Sequence, residues 1–238
     1  MEIIPARIFN LLYIWLDSAF LVFFLCALWF TGRKKTCLFG LAGGLLYFVV
    51  DYGIFYLLLQ ERVVQGAPTG PFLFWLSMSY GITNFAWIWL MLDRDPKWKE
   101  WTILIFFAWI CNPLISQNFG GSFGTVHIWR GTGSYHGAMA LILLVGYMIV
   151  CIMNIRSNAG IPVVRLLLIG IAVQFGWEFA LLVTGIRQSG LETLVINSLV
   201  ETNLGMPYLY FIHKALTKKF GGTEYRSVPM RKKSLSTK

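Results

Sequence analysis

The stretch that decides the reading runs from Leu194 to Lys214, LVINSLVETNLGMPYLYFIHK. It is long and apolar enough to cross a bilayer, yet it carries Glu201, Thr202 and Asn203 inside and Pro207 a turn later. An acid at the centre of a membrane helix costs roughly 2.5–3.5 kcal/mol on insertion scales. It is retained where it faces the protein interior and has a partner or a task. The plainer alternative is an acid hydrogen-bonded to a neighbouring helix for packing alone.

Outward from this stretch, the whole chain has the same character. Of 238 residues, 57% are hydrophobic and 13% charged, with mean hydropathy +0.64. A soluble domain carries about 25% charged residues, so the composition predicts a single all-α, polytopic membrane domain over residues 1–216 and a basic tail over 217–238. Seven spans are expected, near Ile8–Phe30, Leu38–Leu59, Pro71–Leu92, Trp101–Ser116, Tyr135–Met153, Pro162–Thr184 and Thr193–Lys214. Pro71 and Pro162 suit first-turn positions, and Asn112-Pro113 should kink or end the fourth span. Met1–Arg7 lacks a cleavable leader pattern, so the first apolar run is expected to be retained.

The net charge of +9 does not point to nucleic acid, because its placement is that of a topology signal. Arg33, Lys34 and Lys35 follow span one; Arg94, Lys97 and Lys99 follow span three; Arg156 and Arg165 flank the link from five to six; eight more lie from Lys214 onward. Only Arg7, Arg62, Arg130 and Arg187 fall on the other side. The positive-inside rule then puts the N-terminus outside and the tail in the cytoplasm. Cys26, Cys37, Cys111 and Cys151 show no paired spacing and read as small apolar residues.

At about 1.5 Å of rise per residue, Asp17, Asp51, Glu178 and Glu201 all fall in one layer, roughly 10–14 Å below the outer surface. A shared polar chamber accounts for that coincidence. Around these acids lie Tyr47, Gln174, Trp177, Asn197 and Tyr208 at helical spacing or beside them, while Asn84 in span three has Tyr80 and Trp87 nearby and Asn203 follows Glu201. The Gly-rich outer connection Gln117–Ser134, with His127, Trp129 and Arg130, either folds over the chamber or is a plain flexible loop.

Dry surroundings favour the neutral form of a carboxyl, and a second acid nearby separates a proton donor from an acceptor. Aromatic faces would suit a cationic intermediate. His127, His136 and His213 lack metal-ligand spacing, and no phosphate-binding or nucleophile motif occurs. No metal or cofactor is therefore expected.

The sequence resembles the small seven-helix integral-membrane terpene cyclases of fungal meroterpenoid and indole-diterpene pathways and their bacterial relatives. Asp51, in Leu46-Tyr-Phe-Val-Val-Asp-Tyr-Gly-Ile-Phe-Tyr56, matches that family's acid on helix two, and Glu201, in Glu-Thr-Asn-Leu-Gly-Met-Pro-Tyr-Leu-Tyr210, its acid on helix seven. Thr83-Asn-Phe-Ala-Trp-Ile-Trp89, with Pro96 and Trp98 after it, is similar to its third helix and following loop. The family more often has Trp-Glu on helix two, whereas here that pair is Trp177-Glu178 on span six.

The resemblance implies metal-independent, protonation-initiated cyclisation of a prenyl chain, epoxidised or not, on a lipophilic substrate buried between the helices of a protein embedded in the bilayer. Asp51 would be the proton donor and Glu201 its partner or a second donor. The substrate would lie against Asp17, Tyr47, Tyr80, Asn84, Trp87, Trp177, Glu178, Asn197, Asn203 and Tyr208. Two other readings remain open: a small-solute transporter with parallel three-helix repeats, suggested by the echo of Ile82-Thr-Asn in Glu201-Thr-Asn, and a seven-helix receptor.

Overall fold

The computed structural model describes residues 6–131, 135–187, 190–220 and 222, with the side chains of 191–193 outside the description. The chain is helical, with one small sheet. Among the described residues eight α-helices follow in order: α1 Leu11–Phe30, α2 Lys34–Phe48, α3 Thr69–Asp93, α4 Trp98–Phe119, α5 His136–Ser157, α6 Val163–Val183, α7 Leu191–Val200 and α8 Met206–Lys219. A π-helical stretch, Val49–Leu58, continues α2. Five of these rods, α1, α2 with its π-helical extension, α4, α5 and α6, are long and apolar enough to cross a membrane. Large apolar side chains cover their outer faces, among them Phe30, Leu58, Phe119 and Ile155. A sheath of that extent belongs against lipid.

The expected third span corresponds to α3, which is buried on nearly every side and forms the axis of the bundle. Against it α2 lies at backbone distance, because Gly40, Gly43, Gly44 and Gly81 remove the intervening side chains. A Cβ on Gly81 would stand 2.5 Å from the Gly44 Cα. Close approach through small residues is how membrane helices gain packing without a hydrophobic drive. The expected last span is two pieces, α7 and α8, separated by a turn at Glu201–Gly205 that begins at the acid. The fourth span does not end at Pro113: α4 runs through it to Phe119. Pro162 is the N-cap residue of α6 and so precedes its first turn. The predicted tail lies outside the described residues beyond 222.

The sheet is the unexpected element. β1 Arg7–Asn10, β2 Arg62–Gln65 and β3 Thr125–Arg130 form an antiparallel trio in the order β1-β3-β2. Alternation explains why it docks: Phe9, Val126 and Ile128 are buried on its inner face, where Phe9 packs on Tyr13, Phe72 and Trp75 with ring centroids 5.4–5.9 Å apart. Asn10 ties the sheet to two helices. Its side chain caps α1 by accepting from the Leu12 N–H at 2.8 Å and donates to the Gly120 carbonyl at the end of α4. The described part of the Gln117–Ser134 connection, up to Gly131, thus covers this end of the bundle with a strand at its centre. At the opposite end of the bundle, Arg33 grips Asp95 through two hydrogen bonds of 2.7 and 3.1 Å, and His213 meets Asp93 at 2.6 Å.

Candidate functional site

Asp51 and Glu201, 150 residues apart in sequence, line one cavity of about 370 Å³ under the sheet. Its wall also includes Arg7, Arg62 and Arg130 from the three strands, Tyr47, Tyr80, Gln174 and Trp177. The cavity has two storeys. Arginines and Asp51 occupy the sheet end. Tyr47 is one turn further along α2 from the sheet than Asp51, and Gln174, which holds Glu201, is one turn further along α6 than Glu178. One turn of helix is about 5.4 Å.

The π-helical turn sets Asp51 in place. Its wider winding is visible where the Leu59 N–H bonds to the Ile54 carbonyl at 2.9 Å, five residues back, and such stretches recur at functional sites. Asp51 accepts from Arg62 Nε at 2.7 Å and from Arg130 Nη2 at 3.5 Å. Arg62 and Arg130 face each other directly across the β2–β3 ladder, where like charges ordinarily repel. Asp51 is the counter-ion that makes the pairing tolerable. Burial and then the Arg130 charge lower the pKa of Arg62, and the Asp51 carboxylate offsets this only in part. Burial works most strongly against the Arg130 cation, but Asp51, Tyr80, Glu201 and Glu178 together outweigh it and the pKa is raised. Asp51 is therefore a buried ion-pair partner.

Glu201 stands differently. Gln174 Nε2 donates to it at 2.8 Å, and among the described residues no Lys, Arg or His nitrogen lies within 4.0 Å of its carboxyl oxygens. Gln174 is itself fixed by the Thr202 hydroxyl, which donates to its Oε1 at 2.7 Å. The same amide reaches Glu178 at 3.2 Å. Glu178 is fully buried behind the wall, held by Arg187, by Asn197 Nδ2 at 3.3 Å and by Arg7 at 3.6 Å. So Glu178 and Asn197 brace the site without lining it.

Other expected residues divide in the same way. Tyr47, Tyr80 and Trp177 line the cavity, with ring centroids 4.7 Å apart for Tyr47–Tyr80 and 5.9 Å for Tyr80–Trp177. The buried Asn84 lies outside the lining and reaches the Tyr47 hydroxyl. Asp17 is separate: buried between α1 and α3, it accepts from the Trp75 indole at 3.1 Å. Trp87 is bound to Thr102 at 2.7 Å in the α3–α4 contact. Asn203 accepts from Tyr147 at 3.2 Å, and Tyr208 is 43% exposed on the outer face of α8. For Asp17, Trp87, Asn203 and Tyr208, sharing a depth or a helical face with the site did not bring them to it.

What the sequence reading missed is the role of the four arginines left over by the charge count. Arg7, Arg62, Arg130 and Arg187 all pair with Asp51 or Glu178. Their signal was present in the count itself: a basic residue on the sparse side of a membrane protein needs a reason.

On its flank the cavity reaches the lipid-facing surface. Leu46 and Val50 stand on one side, Met139 and Ile142 on the other, and both Leu46 and Ile142 are largely exposed. α5 packs on α6, α7 and α8 but scarcely touches α2 or the π-helical turn; Phe55 and Tyr135 bridge the gap near the sheet at 5.5 Å. No protein-family profile, curated protein or solved structure matches the chain.

Proposed function

We propose that this protein is a membrane-embedded acid catalyst that cyclises the prenyl chain of a lipophilic substrate. The observation that carries the reading is the meeting of Asp51 and Glu201 in one aromatic-lined cavity, with Glu201 held by an amide and no described Lys, Arg or His nitrogen within 4.0 Å of its carboxyl. The geometry favours Glu201 as proton donor, reversing the order suggested by the resemblance. Its proton would pass to a terminal epoxide oxygen or alkene carbon; the resulting carbon cation would be attacked by the next double bond, and loss of a proton would end the sequence. Tyr47, Tyr80 and Trp177 offer ring faces to the cation. Asp51 would hold Arg62 and Arg130 at the sheet end, away from the cationic step. The apolar gap beside α5 would admit substrate from the bilayer.

In this reading the chain crosses the membrane seven times, with α3 as the buried central span and α7–α8 together as the last. The sheet lies outside and Lys219 in the cytoplasm, as the distribution of basic residues supports.

The test is to supply epoxidised prenylated aromatics to membranes containing the protein. Wild type should release a cyclised isomer, and Glu201→Gln should lower the rate by about 10²–10⁴-fold, the usual worth of a positioned acid. Absence of product from wild type overturns the reading for that substrate class. Undiminished turnover by Glu201→Gln removes the acid assignment.

One observation favours a second reading. The helix broken at Glu201–Gly205, deep in the bundle, is the form in which small-solute transporters build their sites. Accumulation of a solute in sealed vesicles, with no covalent change, would decide for it.

A further inference from the structure

The sheet end of the cavity holds more polar capacity than the protein itself uses. Arg7 is 3% exposed and its Nη1 has no hydrogen-bond partner among the described residues, and the same is true of Arg130 Nε and of Asp51 Oδ2, the latter on a residue 2% exposed. A buried donor left without an acceptor is costly, and a buried guanidinium more so. The described lining carries three guanidiniums, Arg7, Arg62 and Arg130, against two carboxyls, Asp51 and Glu201. Burial, with Arg130 next, lowers the pKa of Arg7 to about 9; Glu178 offsets this only in part. Directly below this charged ceiling the wall turns to Tyr47, Leu46, Val50, Ile142 and Leu204.

We propose that the ceiling formed by Arg7 and Arg130 binds an oxyanion head group on the substrate, a carboxylate, phenolate or phosphate, whose apolar chain descends past Tyr47 toward Glu201. This deepens the cyclase reading and rests on it for the fate of the chain, though not for the binding. Arg7 Nη1 and Arg130 Nε supply the donors, and the fork geometry of guanidinium suits paired oxygens. Asp51 restricts the number of oxyanions: with Arg62 and Arg130 already sharing its charge, the site takes one anionic group. The arrangement also orients the substrate, placing its charged end under the sheet and the chain's reactive end one turn deeper.

The probes are dodecanoate, dodecyl phosphate, dodecanol and inorganic phosphate, titrated into the purified full chain in neutral detergent, with binding read by calorimetry and by thermal unfolding. Dodecanoate or dodecyl phosphate should bind about ten- to a hundredfold more tightly than dodecanol, the worth of one or two charge-assisted hydrogen bonds. Inorganic phosphate alone should bind far more weakly, since it lacks the chain; equal binding would move the site to free anions and overturn the proposal. Arg7→Gln and Arg130→Gln should each remove most of the preference, whereas Lys99→Gln at the opposite end should not. Equal affinity of wild type for dodecanoate and dodecanol overturns the proposal without reliance on any variant. If the preference holds while epoxidised prenyl substrates go unchanged, the head-group site stands and the cyclase reading falls.

Discussion

Two acids share one cavity and differ in almost everything else. Asp51 sits between two guanidiniums, so Asp51→Asn would leave Arg62 and Arg130 opposed across the strand pair with their counter-ion gone. Breaking a buried pair in this way costs about 3–5 kcal/mol. Glu201→Gln replaces a carboxyl that meets only the Gln174 amide, and Gln can satisfy that contact from its carbonyl oxygen. Thermal unfolding in detergent should therefore show Asp51→Asn clearly destabilised and Glu201→Gln close to wild type, while turnover is lost in the latter. The reverse pattern would exchange the roles of the two residues. The acids were legible in the sequence because charge inside an apolar run is conspicuous. Their partners were not, because Arg7, Arg62 and Arg130 lie outside the runs and reach Asp51 or Glu178 only through strand pairing.

At the scale of elements, helices were readable from apolar length, and their ends were recovered within a few residues. The sheet was not readable. Its strands are four to six residues long, too short for alternation to stand out from chance, and each pairs with a segment far away in the chain. The broken last span was not read: one helix was expected over Thr193–Lys214, although it holds Gly205 and Pro207, residues that interrupt helices, and the turn starts at Glu201 itself. The helix pair α2–α3 provides a sharper test. Gly81→Ala would place a methyl group against the Gly44 backbone, which cannot step aside as a side chain could. Forced separation of the two helices should cost about 1–3 kcal/mol and shift Tyr47 away from Tyr80. A lowered unfolding temperature together with weakened activity is the expected result; Gly53→Ala, where a Cβ would meet nothing within 4 Å, is the control.

For the molecule as a whole, the two ends divide the labour. One is closed by the sheet and its arginines; the other is pinned by Arg33–Asp95 and Asp93–His213. The proposed orientation can be read with single cysteines placed on a background lacking Cys26, Cys37, Cys111 and Cys151. Ser122→Cys, exposed beside β3, should react with a membrane-impermeant maleimide on intact cells. Lys219→Cys, exposed at the end of α8, should react only after permeabilisation. Opposite labelling would invert the topology, and with it the side on which the cavity lies.

The order of strands also has a consequence for biosynthesis. β3 is the middle strand, yet it is the last of the three to be made, after α4. While the ribosome is still producing α4, Arg7 and Arg62 have no neighbouring strand to lie beside, and Asp51 lacks Arg130. The first four helices are thus made before these polar contacts can be completed, and the ladder closes only when Thr125–Arg130 threads between its two waiting neighbours.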